Sequence, residues 1–264
     1  MTDDKQPEGE AASAAAQTES KDSGASGKGS PPIVSAAVCA VVGLVAGGIG
    51  VALMNNTGEV FVLPKELRDL SAGRFPSGEE QERIVAGYLV AGYKNTALWM
   101  SMIGAVLGGL VGLAAALLRS SKSQVLVATV VALVVGGAFG GLSGLTAVKA
   151  EAMAQAGKAE TELNLPEHYV LMLHAATWCV MGLGVGLGVG LFRQPRTPSR
   201  IAEAAIITGL AGMVAGVLFP VLGGIIFPAT DPTLAVPIDQ DPTGRFFWGM
   251  LPGAIIGFAA GRQK

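Results

Sequence analysis

Charge is what this chain has least of. Only 14 % of its 264 residues are Asp, Glu, Lys or Arg, against about 25 % in soluble globular proteins. The formal charge is −2, so no basic field invites a nucleic-acid backbone. Cysteine is almost absent. Cys39 and Cys179 stand alone in apolar surroundings, which leaves neither a disulfide framework nor a zinc-ligand spacing and assigns both the part of small buried hydrophobes. Aromatic residues make up 6 %. What is abundant is apolar bulk and glycine. Half the residues are hydrophobic, the mean hydropathy is +0.51, and there are 38 glycines, twice the usual share of about 7 %. Membrane helices accept such a glycine load more readily than soluble helices do.

Residues 1–32 are Ala, Ser, Gly, Glu and Lys with little that is large and apolar. Such a stretch cannot offset its ordering entropy by burial, so it reads as a disordered tail. Its length ahead of the first apolar run also argues against a cleaved signal peptide. Six apolar runs follow: 33–54, 97–118, 125–147, 169–192, 204–227 and 246–261. The first five have about 20 residues or more, enough to cross roughly 30 Å of hydrocarbon as a helix. The sixth is short and spans only with thinning or snorkelling. The expected fold is therefore all-α: a polytopic bundle of six glycine-striped spans behind the tail, with the transmembrane domain covering 33–264. If all six cross, Arg119, Lys122, Arg193, Arg196, Arg200, Arg262 and Lys264 share one side with both termini, and the positive-inside rule makes that side cytoplasmic.

On the opposite side, 55–96 predicts a further helix. Ser77 caps it, Glu79 and Glu80 occupy its first turn, and Ile84, Val85, Tyr88 and Leu89 share a face. It reads as a surface helix, as an outward extension of the second span, or as a partner-binding helix. The 228–245 segment is rich in Pro and Asp and suits turns; Asp231, Asp239 and Asp241 read as solvated. The sequon Asn55-Asn56-Thr57 lies at a span end and reads as chance.

"GLGVGLGVGLFR", Gly182–Arg193, lacks the Lys-Ser/Thr of a phosphate loop and the third glycine of a dinucleotide fingerprint. An isolated strand in lipid would leave its backbone unpaired, so the run is helical. Gly182, Gly186 and Gly190 then form one stripe, with Gly184 and Gly188 nearly opposite. Small-xxx-small stripes let helix backbones approach closely, and two opposed stripes call for neighbours on two sides. The device recurs. The second span has Gly104, Gly108 and Gly112, and the third has Gly136, Gly140 and Gly144 beside Gly137 and Gly141. The fifth has Gly212 and Gly216, the sixth has Gly249, Gly253, Gly257 and Gly261, and the first has Gly43 and Gly47. Gly108, Gly112 and Arg119 also match Gly182, Gly186 and Arg193 at an offset of 74, which suggests duplicated hairpins.

No Asp, Glu, Lys or Arg lies deep in a span, which counts against coupled transport. Pro220 and Pro252 interrupt the fifth and sixth spans, and Phe219–Gly224 is the candidate helix break. Trp99 and Trp248 are expected at headgroup level, and the methionines of the spans as packing filler. Ser143 and His174 lie at matched depth on successive helices, a nucleophile–base arrangement. The tetrapeptide Gly141–Gly144, "GLSG", resembles the G-x-S-G of rhomboid intramembrane proteases, which use a Ser–His dyad in six spans. The resemblance covers four residues and a span count. The family's serine starts its helix, whereas Ser143 lies near the exit of its own.

These features lead to a non-enzymatic membrane protein, a structural or interaction subunit with neither cofactor nor metal. Its expected partners are the lipid bilayer and other membrane proteins or further copies of itself, not nucleic acid. The alternative is a small transporter or channel with a path near Pro220 and His174. The third reading is an intramembrane serine protease using Ser143 and His174.

Overall fold

The structure is a computed structural model that describes residues 31–73, 76–119, 122–155, 166–192, 196–226 and 242–263. The tail before Pro31, Arg193 and the aspartates Asp231, Asp239 and Asp241 lie outside the described residues. The described residues form seven helices: α1 (Pro32–Thr57), α2 (Lys65–Gly73), α3 (Gly78–Arg119), α4 (Lys122–Gln155), α5 (Glu167–Gly190), α6 (Pro198–Ile226) and α7 (Pro242–Arg262). Five of these, α1, α3, α4, α5 and α6, are long and apolar enough to cross a membrane. α7 is helical over 21 residues but is not among the five.

The helices close into a ring. Going round it, α1 packs on α3, α3 on α4, α4 on α5, α5 on α6, α6 on α7, and α7 back on α1. α3, α5 and α7 also touch one another, whereas α1, α4 and α6 touch none of each other among the described residues. So three helices occupy the centre and three clothe it. The apolar side chains agree. Val34, Val41 and Val45 of α1, Leu126, Val130 and Val134 of α4, and Ile206, Leu210 and Val214 of α6 are exposed, as surfaces meant for acyl chains should be. Trp178, Met181 and Val185 of α5, Met100, Ile103 and Leu107 of α3, and Trp248 and Ile256 of α7 are fully buried.

Each inner helix has an antiparallel outer partner. α3 pairs with α4 and α5 with α6 through consecutive hairpins. The third pair, α7 with α1, brings the two ends of the described chain together, since Gly261 lies against Ser35 and Gly249 against Gly47. A third antiparallel inner–outer pair thus stands beside the two hairpins of the second to fifth spans, assembled from the two ends of the described chain. One tryptophan stands on each inner helix: Trp99, Trp178 and Trp248.

α3 has 42 residues and so is about 63 Å long, roughly twice the thickness of a hydrocarbon core. It projects beyond the bundle at the end away from the termini. There, with α2, it makes a small head. Ser77 does cap it. The Ser77 amide donates to a Glu80 carboxylate oxygen at 2.9 Å, and the Glu80 amide returns to the Ser77 hydroxyl at 3.4 Å, a reciprocal capping box. Ile84 is buried, but Val85, Tyr88 and Leu89 are exposed, so the face expected to pack is only partly covered.

Two local expectations are corrected. α6 runs through Pro220 and α7 through Pro252 as continuous helix, so neither proline breaks its helix. Both prolines are buried against neighbouring helices, and such support lets a buried helix tolerate a missing backbone bond. Trp248 is fully buried rather than at a lipid interface, and its ring lies 5.0 Å from that of Trp178. The reason is that α7 is an inner helix, a fact hidden in its own sequence.

Candidate functional site

The interior is built from close backbone contacts. A Cβ added at Gly104 would fall less than 3.0 Å from the Gly136 carbonyl oxygen, and one added at Gly136 would meet the Gly104 oxygen equally closely. Gly108 lies against Ala132, Gly112 against the Ala132 methyl, Gly140 against the Met100 carbonyl, and Gly144 against the Thr96 carbonyl. Between α5 and α6, Gly182 meets Thr208 and Gly186 meets Ala204, while Gly212 meets Trp178, Gly216 meets His174, and a Cβ added at Gly190 would lie 3.1 Å from Ile201 Cα. Gly184 and Gly188 turn the other way, onto Phe139 and Ala132 of α4. Between α1 and α7, Gly43 faces Gly253, Gly47 faces Gly249, and Gly257 faces Cys39. At Gly104 and Gly136, and at Gly43 and Gly253, the contacts are mutual and backbone-to-backbone, so no rotamer change relieves a side chain added there.

Three buried hydroxyls are turned back on their own helices, while Ser101 of α3 donates across to the Gly137 carbonyl of α4 at 2.8 Å. Ser143 donates to the Gly140 carbonyl at 2.7 Å, Thr177 to Leu173 at 2.7 Å and Thr208 to Ala204 at 2.7 Å. His174 is fully buried and lies edge-on to Phe219 of α6, ring centres 5.4 Å apart. The Ser143 hydroxyl thus bonds its own helix, and the His174 ring lies against the proline-bearing segment of α6. Phe219 continues the aromatic stack to Phe247 of α7 at 5.9 Å. Together with the Trp178–Trp248 pair, these rings fill the space where the inner helices meet. The Nε1 donors of Trp178 and Trp248 find no acceptor among the described residues.

No family model, curated protein or solved structure matches this chain. Its own geometry must carry the functional reading.

The head is held by different chemistry. Asn95 is buried at the base of the α3 projection. Its side-chain oxygen accepts from the amides of Val60 at 3.1 Å and Phe61 at 2.8 Å, and its nitrogen donates to the Phe61 carbonyl at 2.8 Å. One turn on, the Trp99 indole donates to the Gly58 carbonyl at 2.9 Å. Gly58 takes φ +58°, a left-handed conformation that turns the chain out of α1. Leu63 inserts against Gly87, where a side chain on α3 would collide with it. The connection 58–64 is thereby strapped to α3, and Val60, Phe61, Val62, Val85, Tyr88, Leu89 and Val90 remain exposed around it. Lys94 lies 5.7 Å over the Phe61 ring.

At the termini end, Arg119 donates to the Ala260 carbonyl at 3.1 Å and also to that of Gly261, closing the last carbonyls of α7 from α3. At the far end, Arg245 donates to the Asn55 side-chain oxygen at 2.7 Å and ties the start of α7 to the end of α1. Asn95 and Arg245 were not among the residues singled out from the sequence, and Arg119 was read only for its charge and its place in the repeat. The signal for Asn95 was its isolation: an amide at the edge of an apolar run has to find partners locally.

Proposed function

We propose that this chain is a non-enzymatic, membrane-embedded structural or interaction subunit, six helices across the bilayer with both termini cytoplasmic, presenting the α2–α3 head to a partner on the far side. The observation that carries this reading is the filled centre. Where α3, α5 and α7 meet, a conduit would need polar walls and water; that space holds Trp178, Trp248, Met100, Met181 and Phe219. The hydroxyls that could line a path are spent on their own helices. The glycine stripes supply the affinity between helices through van der Waals contact, which replaces the hydrophobic drive that lipid removes.

α7 counts as the sixth crossing because it runs antiparallel beside α1, from Ser35 to Val51, over the same depth. Its lower hydropathy suits a helix that touches α1, α3, α5 and α6 rather than lipid. The orientation follows the cations: Arg119, Arg196, Arg200 and Arg262 are all at the termini end.

The test is accessibility. In a Cys39→Ala/Cys179→Ala background, Ser143→Cys, Thr177→Cys and Thr208→Cys should all resist a water-soluble maleimide in sealed vesicles. Rapid labelling at any of them would overturn this reading in favour of a conduit. Partner presentation is tested separately by blue-native migration. The wild-type chain should run in an assembly that Tyr88→Glu/Leu89→Glu dissolves without altering the bundle.

A further inference from the structure

An open cavity of about 850 Å³ lies at the termini end between α6 and α7, with Pro32 of α1 at its edge. That size falls in the range of small-molecule sites, roughly 300–1,000 Å³. Its walls divide into two parts. Ile207, Ala211, Phe258 and Ala259 form an apolar side, and Arg200, Glu203, Arg262 and Gln263 form a polar side. Arg200 lies in the first turn of the 29-residue helix α6, where the helix dipole favours an anion and Thr197 already accepts from the Arg200 and Ile201 amides, so the guanidinium itself must supply the anion's donors. Arg262 ends α7. Neither guanidinium has a hydrogen-bond or ion-pair partner among the described residues, and both are exposed. Gln263 is different. It is 6 % exposed, its Nε2 donates to the Ala204 carbonyl at 3.2 Å, and its Oε1 has no partner. The Nε2 bond sets the orientation of the amide, so the atom left unsatisfied is an acceptor. A buried acceptor without a donor costs about 1–3 kcal/mol, so the groove favours an occupant that brings a donor.

We propose that this groove binds one phospholipid of the termini-side leaflet. The phosphodiester lies on Arg200 and Arg262, the acyl chains descend along Ile207, Ala211 and Phe258, and a headgroup amine or hydroxyl donates to Gln263 Oε1 and the Glu203 carboxylate. Two guanidiniums and one carboxylate leave the site with a single net positive charge, complementary to a phosphate. The two acceptors select a headgroup that carries N–H or O–H. Phosphatidylethanolamine and phosphatidylglycerol meet that requirement, and phosphatidylcholine does not. The site rests on the helices being membrane-embedded and is independent of what the head binds.

The experiment is native mass spectrometry of the delipidated full chain in mild detergent, titrated with phosphatidylethanolamine, phosphatidylglycerol and phosphatidylcholine of identical acyl chains, and separately with inorganic phosphate. One ethanolamine or glycerol lipid should bind per chain. Arg200→Ala/Arg262→Ala should weaken it about tenfold, on the scale expected for two basic contacts at a membrane surface. Ala211→Trp, which fills the apolar side and leaves both arginines in place, should also abolish retention. Gln263→Leu, which leaves Glu203 as the single acceptor, should reduce the preference over phosphatidylcholine while leaving phosphate-driven binding. Arg200 and Arg262 are exposed, Ala211 is half-buried and Gln263 is the last described residue, beyond the end of α7, and circular dichroism should show the helices unchanged in every variant. Equal binding of phosphatidylcholine by the wild type, or binding indifferent to both Arg200→Ala/Arg262→Ala and Ala211→Trp, would overturn the proposal. So would inorganic phosphate displacing the lipid at stoichiometric levels. Failure of the membrane reading would look different: alkaline carbonate would release the chain from its membrane without detergent.

Discussion

The bundle and the head are two regions of one chain built for two solvents. In the bundle, neighbouring helices meet through glycine, so that Gly104 and Gly136 lie against each other's carbonyls. Polar groups are few, and the buried hydroxyls of Ser143 and Thr208 are satisfied within their own helix. In the head, the chain is held by directed bonds. Asn95 makes three, Trp99 makes one, Ser77 and Glu80 cap the helix, and a single leucine, Leu63, fills the notch at Gly87. Lipid offers nothing to expel apolar groups and nothing to solvate polar ones, so contact must come from shape. Water does both, so the head needs an apolar knob and polar clamps. α3 passes through both regimes without a break.

The sharpest way to break that comparison is to add bulk where backbones touch. Gly136→Leu and Gly253→Leu should prevent assembly of the α3–α4 and α1–α7 pairs, and the protein should be lost from detergent extracts by size-exclusion chromatography. The same change at Gly92 of α3, where nothing lies within 4 Å of an added Cβ, should leave the elution profile intact. A bundle indifferent to Gly136→Leu would remove the basis for close packing.

The next effect belongs to the head. Asn95→Ala removes three hydrogen bonds and leaves the Val60 and Phe61 backbone groups to water, at about 1 kcal/mol for each bond lost. Amide exchange of Val60 and Phe61 should accelerate by orders of magnitude while the bundle's exchange stays slow. Equal acceleration in both regions would mean that the strap and the bundle open as one unit.

A smaller difference is expected between two tryptophans. Trp99→Phe loses the bond to Gly58 and should loosen the 58–64 connection by about 1 kcal/mol, read as protease sensitivity there. Trp178→Phe removes a donor that has no acceptor among the described residues, so its cost is confined to lost ring area. Smallest is Gly92→Ala, which should raise the thermal midpoint slightly. It replaces a poor helix former with the best one, a gain of up to about 1 kcal/mol, in open space.

Much of this was legible from local pattern. The apolar runs at 33–54, 97–118 and 125–147 fall within helices long enough to cross, and those at 169–192 and 204–227 coincide with such helices as far as Gly190 and Ile226, because span length and apolarity are properties of a segment alone. The cap at Ser77 was legible for the same reason. The facing of Gly184 and Gly188 away from Gly182 and Gly186 follows from helical periodicity, and each set has its own neighbour, α4 and α6. Trp248 misled because an indole near a span end reads as an interfacial anchor, and nothing local says that α7 is surrounded by protein. Pro220 misled because proline's cost is local while its tolerance comes from neighbours. Gln263 was passed over because its partner, Ala204, is 59 residues away.

Sequence alone determined the helices, their apolar character and the residues at which two backbones can approach. Those properties arise from the covalent chain and its periodicity. Tertiary structure decided which helices are central, that the third inner–outer pair joins the chain's two ends, and which polar groups meet. Each of these depends on contacts between segments far apart in sequence, and in a medium without hydrophobic drive many helix pairings have similar apolar surfaces. The choice among them rests on the fit of one backbone against another, a property of pairs that no single segment carries.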